Sequence, residues 1–217
     1  NRLFPVIFDP EVMPKRVNQA DGEDLILTSA ANYYEGVAQQ EAEDFYAAMK
    51  TPGETEPVMY GMNSRLVKKD GVVQEEVWKI GGMYGEALQK IVSWLDKAAE
   101  VAENDRQREV IRLLTEFYRT GDLKTFDAYS IVWLKDTDSL VDFVNGFIES
   151  YGDPLGIKAS WESIVNFKDL EATRRTELIS ENAQWFGDHS PVAPQFRKEK
   201  VKGVSAKVIT AAMLGRV

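Results

Sequence analysis

Glu149, Tyr151 and Glu162 are the side chains whose types and spacing suit a joint chemical task. The apolar run Leu140, Phe143, Val144, Phe147 and Ile148 has helical spacing, so the sequence predicts a helix that starts near Ser139 and ends at Glu149. A carboxylate at that end opposes the helix macrodipole, at a cost of a few tenths to about 1 kcal/mol. It is either a solvated helix end or a carboxylate held out for a cation, such as the free amino group of a peptide. The turn Gly152-Asp153-Pro154-Leu155-Gly156 follows, and a strand over about 159–167 returns with Glu162. That path could bring the two carboxylates onto one wall of a cleft. They repel, so one pKa rises unless a cation lies between them. A tyrosine hydroxyl beside them can donate to a carbonyl oxygen or a developing oxyanion.

The elements that must hold this group predict an α+β fold, a predominantly helical body with a small antiparallel or mixed sheet. Residues 1–23 read as irregular, with Val6, Ile7 and Phe8 available to pack. Helices are expected from about Asp24 to Val37 and from Gln40 to Lys50, the second stopped by Thr51-Pro52-Gly53. A hairpin is expected over about 58–80, because Asp70-Gly71 lies between two strand-favouring runs. Three helices should follow: Met83 to Glu103, then one capped at Asn104 or Asp105 and ended by Gly121, then Leu123 to Lys135. Each carries one apolar face, and the short connections make them near-antiparallel neighbours. The 159–167 strand alternates Trp161, Ser163, Val165 and Phe167 against Glu162 and Ile164. A charged helix opened by Asp169 and a loop over 187–203 come next, and 204–213 reads as strand or helix. The hairpin, the Trp161 strand and this last run are expected to share the sheet.

Composition removes several function classes. The chain has 217 residues and a formal net charge of −9, which disfavours nucleic acid as a partner because phosphate binding needs a concentrated basic surface. The short run Arg197 to Lys202 contains Glu199 and reads as a solvated loop. No apolar run is long enough to span a membrane as a helix. There is no cysteine, so disulfides, thiol catalysis and iron–sulfur sites are excluded. His189 is the one histidine, so the chain cannot build the usual catalytic zinc site alone, and a serine triad would have to depend on that loop residue. No Gly-x-Ser-x-Gly elbow, phosphate loop or dinucleotide glycine pattern is present.

The stretch Gly146-Phe147-Ile148-Glu149-Ser150-Tyr151, with Asp153-Pro154 and Gly156, closely resembles the Gly-Phe-Ile-Glu-Ser-Tyr-x-Asp-Pro-x-Gly motif of the dipeptidyl peptidase III family. Asn63-Ser64-Arg65-Leu66, the Gly85-to-Glu103 helix, the Thr120-to-Leu134 segment and the Val204-to-Leu214 run extend the resemblance over most of the chain. The shorter bacterial members are the most similar. The family consists of zinc-dependent exopeptidases that remove dipeptides from peptide amino termini. The resemblance implies that Glu149 holds the substrate's free amino group, that Tyr151 is the catalytic contact to the scissile region, and that Glu162 is a second substrate-binding carboxylate. Gly152 stands where animal members carry a basic residue. The family's His-Glu-x-x-Gly-His motif is absent, so the chain is expected to be an internal fragment, inactive alone and binding no zinc itself. Residues 1–168 are then part of the non-metal lobe, 169–203 an excursion toward the metal-bearing lobe, and 204–217 a return segment. The expected partners are oligopeptides with a free N-terminus and the rest of the same polypeptide, with no nucleic acid or membrane, in the cytoplasm. The alternative is a metal-free helical peptide-binding or interaction domain descended from that family.

Overall fold

The computed structural model describes residues 2–9, 11–55, 58–204 and 207–216. Of the stretches named above, Asn1, Pro10, Ser205, Ala206 and Val217 lie outside the described residues. The chain is α+β and forms two compact units. The first takes the residues up to Thr137 together with Asn145–Glu162 and Arg216; the second takes Asp138–Val144 and Ser163–Gly215.

The first unit opens with a short helix, α1 (Phe4–Phe8), whose Val6, Ile7 and Phe8 are exposed rather than packed. The expected Asp24–Val37 helix does not form. Asp24 carries a helix-start signal, but its carboxylate instead binds three backbone N–H groups, those of Ile26 (3.0 Å), Leu27 (2.9 Å) and Gln39 (3.0 Å). The chain makes one turn there and then extends into β1 (Tyr34–Glu35), which pairs with a strand far along the sequence. A side chain that satisfies local N–H groups competes with helix propagation. Burial works against the Asp24 charge, but these three donors hold its carboxyl below the ordinary range. Because Asp24 also supplies the missing acceptor at the start of α2 (Gln39–Met49), Asp24→Ala should cost about 1–2 kcal/mol, read from urea denaturation midpoints.

The hairpin forms as β2 (Ser64–Lys69) and β3 (Val72–Val77), with Asp70 at φ 51° and Gly71 at φ 81° in the turn. Parallel β1 completes the sheet in the order β1-β2-β3. Ile26, Val37, Ala42, Tyr46 and Leu66 form the core beneath it.

The next three helices match the sequence pattern: α3 (Gly85–Glu100), α4 (Asp105–Thr120) and α5 (Leu123–Lys135). Asn104 caps α4 by accepting from Gln107 N at 2.9 Å, and Gly121 ends it at φ 74°. A Cβ at Gly121 would also lie 2.6 Å from Val77 Cγ1, so glycine is required there twice over. Val110, Leu114, Phe117 and Tyr118 are almost fully buried on α4.

The segment predicted as a helix from Ser139 is a strand, β4 (Val141–Glu149). Its apolar positions fit a helical period, but Val, Phe and Ile are also strand formers. Gly146 adopts φ 158°, far from helical, and a Cβ there would lie 2.7 Å from the Phe126 ring, so glycine is the residue that fits. Glu149 therefore ends a strand, and the macrodipole argument does not apply to it. The returning strand is β5 (Ser160–Lys168). The hairpin and the Trp161 strand lie in different sheets, because the edges of β5 are taken by β4 and by β6 (Ile209–Arg216). Both β4 and β5 pass from one unit into the other.

In the second unit α6 (Leu170–Glu181) is capped by Asp169, which accepts from Ala172 N at 2.9 Å. The expected single charged helix breaks at Asn182, and α7 (Ala183–Asp188) follows. Leu170, Leu178, Ile179, Trp185 and Phe186 are exposed. The Arg197 guanidinium donates to the carbonyls of Asp188, Ser190 and Val192 and organises the loop between them.

Candidate functional site

The site is built on the turn between β4 and β5, within the first unit. Asp153 N donates to Ser150 O at 3.0 Å, and Gly156 N donates to Asp153 O at 3.0 Å. Gly156 sits at φ 65°, a left-handed position that suits glycine. Asp153 Oδ2 accepts from Ile157 N (2.8 Å), Lys158 N (2.8 Å) and the Tyr34 hydroxyl (2.9 Å). This double turn fixes the backbone on which Glu149 and Tyr151 stand. Gly152 is buried because Arg16 lies over it, with Nη2 only 3.0 Å from where a Cβ would sit.

An open cavity of about 640 Å³ lies against this turn. Glu149, Tyr151, Asp153, Pro154, Val17 and Gln19 are among its walls. Glu149 is half-buried and the Tyr151 side chain is 60% exposed, so a phenol and a carboxylate both meet solvent-filled space. Glu162 lies on β5, half-buried, and does not line this cavity. Ser160, two positions before it, reaches the Glu149 carbonyl with its hydroxyl at 3.3 Å.

Sequence reasoning missed the group beneath the turn. Lys158 has no exposed surface. Its ammonium donates to the Tyr46 hydroxyl and to Ser64 Oγ (2.8 Å). Both hydroxyls pass the bond on to Glu75 Oε1, at 2.8 Å from Tyr46 and 2.5 Å from Ser64. The ammonium itself is 3.8 Å from that carboxylate oxygen. Burial pushes the Lys158 pKa down to about 8, although Glu75 and Asp153 favour its charge. Burial and the neighbouring carboxylates push the Tyr34 and Tyr46 hydroxyls well above the ordinary phenol range. The glycines and the Asp-Pro dipeptide of Gly152–Gly156 marked this turn in the sequence, and nothing marked the lysine as buried.

His189 is far simpler. It stacks on Trp185 at 4.3 Å, and Nδ1 lies 2.8 Å from the Trp185 carbonyl oxygen. Among the described residues no group of three or more His, Asp or Glu side chains is arranged to hold a metal ion. The described residues do not fit a zinc site. No helix among the described residues is long and apolar enough to cross a membrane.

A helical body, two small sheets and a Glu-Ser-Tyr turn on an open cavity define a type of protein that comparison can place. The model of peptidase family M49 matches residues 34–206, and the chain belongs to that family. It is similar to dipeptidyl peptidase 3 of Rattus norvegicus, 30% identical over 119 residues, which is 55% of this chain and 16% of the relative. Dipeptidyl peptidase 3 of Dictyostelium discoideum is 29% identical over 137 residues, or 62% of this chain and 20% of the relative. The chain thus spans a fifth or less of these curated relatives. The fold is shared with the solved DPP III from Caldithrix abyssi (TM-score 0.63, 17% identity, covering 92% of this chain and 38% of that one). It is shared as well with dipeptidyl-peptidase III from Corallococcus sp. strain EGB (TM-score 0.56, 19% identity, 84% and 33%).

Proposed function

We propose that this chain is part of the substrate-binding lobe of a zinc-dependent dipeptidyl peptidase that removes dipeptides from the amino termini of oligopeptides. The observation that carries this reading is a carboxylate and a phenol, Glu149 and Tyr151, on one open cavity of a family M49 chain. Glu149 neutralises the α-ammonium group of the peptide. Tyr151 donates to the scissile region and stabilises the charge that develops there. Glu162 adds a second carboxylate on the amino-terminal side. The metal and its water belong to a part of the relatives that this chain does not cover. The chain alone then binds and orients without catalysing, and its partner is the rest of the same polypeptide. In this arrangement residues 1–168 belong to the non-metal lobe, 169–203 reach toward the metal-bearing lobe, and 204–217 return. We place the whole protein in the cytoplasm, in keeping with a chain that has no cysteine.

The test uses the full-length protein. Glu149→Ala should raise KM by about tenfold or more with kcat little changed, because it removes ground-state binding of the amino group. Tyr151→Phe should lower kcat by about tenfold or more at similar KM. Peptides with an acetylated amino terminus should be poor substrates. Unchanged kcat/KM in both variants, or equal cleavage of acetylated peptides, rules the assignment out.

A further inference from the structure

We propose that Asp153 and Lys158 are positioning residues that clamp the Glu149–Tyr151 wall to the body of the first unit. The proposal rests on the peptidase reading above for what the wall binds, but the clamp itself is read from the geometry. Asp153 closes the turn from inside, taking the amides of Ile157 and Lys158 and the hydroxyl of Tyr34 on one carboxylate oxygen. Lys158 then sends its side chain the other way, into a network formed by α2 (Tyr46), β2 (Ser64) and β3 (Glu75). The ring of Tyr46 also faces the ammonium, at 4.6 Å. The residue after Lys158 pins the backbone again, Ala159 N donating to Met62 O at 3.0 Å. Two adjacent anchors, one anionic and one cationic, thus tie a short segment to four other elements. A serine hydroxyl beside a lysine amine can also act as a nucleophile and its base. Here Ser64 and Lys158 are both buried, so no substrate reaches them. Their chemistry is structural support for a site whose walls are a few residues upstream.

A buried charge is an unusual support. Removing one partner leaves a buried polar group short of a hydrogen bond, so the network favours a single arrangement. That makes it a fixing device for the turn, as a site that must hold its groups to within about half an ångström requires.

Two substitutions in the full-length protein test the clamp: Lys158→Met, which keeps the aliphatic stem, and Tyr46→Phe, a milder change if the first fails to fold. The readouts are amide hydrogen exchange and the split between KM and kcat for dipeptide release. Exchange at the hydrogen-bonded turn amides of Asp153, Gly156, Ile157 and position 158 should accelerate by about tenfold or more while Leu114 and Phe117 in α4 keep their rates. KM should rise about fivefold or more and kcat should fall as well, because Glu149 and Tyr151 share the wall, whereas a general loss of stability would lower the amount of active protein without raising KM. Unchanged exchange in the turn overturns the proposal, as does faster exchange with unchanged KM. A wild-type protein that releases no dipeptide sinks the peptidase reading instead. In that case the exchange rates at 153–158 decide the clamp alone, faster supporting it and unchanged overturning it.

Discussion

Raising the pH from about 8 to about 10 should stabilise the wild-type chain by about 2 kcal/mol relative to Lys158→Met. The sign follows from where the proton leaves. In the fold, burial pushes Lys158 down to about 8 despite the favourable fields of Glu75 and Asp153. In the unfolded chain the same amine titrates near 10.4. Between those values the unfolded state holds more protons than the native one, so stability rises with pH. Below pH 8 the ammonium is charged in both states, so its contribution no longer changes with pH. The window closes near pH 10. There the phenols of Tyr34 and Tyr46, raised in the fold, begin to ionise in the unfolded chain first, and their contribution falls as pH rises. Urea denaturation of both proteins at pH 8, 9 and 10 measures the difference with other groups cancelled. A difference that stays flat across the window would mean that Lys158 titrates at its ordinary value.

The largest single loss of stability is expected from Tyr118→Ala, at about 3–5 kcal/mol from packing alone. Tyr118 on α4 has no exposed surface. Its ring lies against Phe117 at 5.4 Å and meets Phe147 edge-on at 6.4 Å. Its hydroxyl accepts from Trp161 Nε1 at 2.9 Å and donates to Asn145 Oδ1. One side chain therefore joins the helical layer to β4 and β5 by packing and by hydrogen bonds together. Tyr118→Phe separates the two effects. It keeps the ring and deprives the Trp161 N–H of its acceptor, for about 1–3 kcal/mol. Denaturation midpoints should order wild type, Phe, then Ala. A Phe variant within about 0.5 kcal/mol of wild type would assign the whole effect to packing.

What could be read in the sequence was what is decided locally. Asn104 and Gly121 bound α4 because a cap and a left-handed stop are properties of a few neighbouring residues. Asp70-Gly71 gave the hairpin for the same reason. The one face of Leu88, Ile91, Val92 and Leu95 gave α3, where Leu88 and Val92 are buried and Ile91 and Leu95 half-buried. The failures are places where distant residues decide. Val141–Glu149 has an apolar spacing that satisfies a helix, and its pairing with β5 makes it a strand. Asp24 looked like a helix start and serves as a remote cap for α2. Glu149 and Tyr151 are legible from their types and do line one cavity, but Glu149 ends a strand, so no helix macrodipole acts on it. Lys158 was invisible, since its partners Tyr46 and Ser64 lie 112 and 94 residues away in sequence.

That separation also sets an order of assembly. Helices α3 to α5 are joined by short connections and meet without closing a long loop, so they can form early. The ammonium of Lys158 can enter its site only after α2 and the hairpin have come together and more than ninety residues of chain have been brought back to them. A contact that forms after the rate-limiting step acts mainly on how fast the finished structure opens, so Lys158→Met is expected to raise the unfolding rate more than it lowers the folding rate. The lysine at the base of the Glu-Ser-Tyr turn is thus a latch on the native state, contributing to its lifetime more than to its formation.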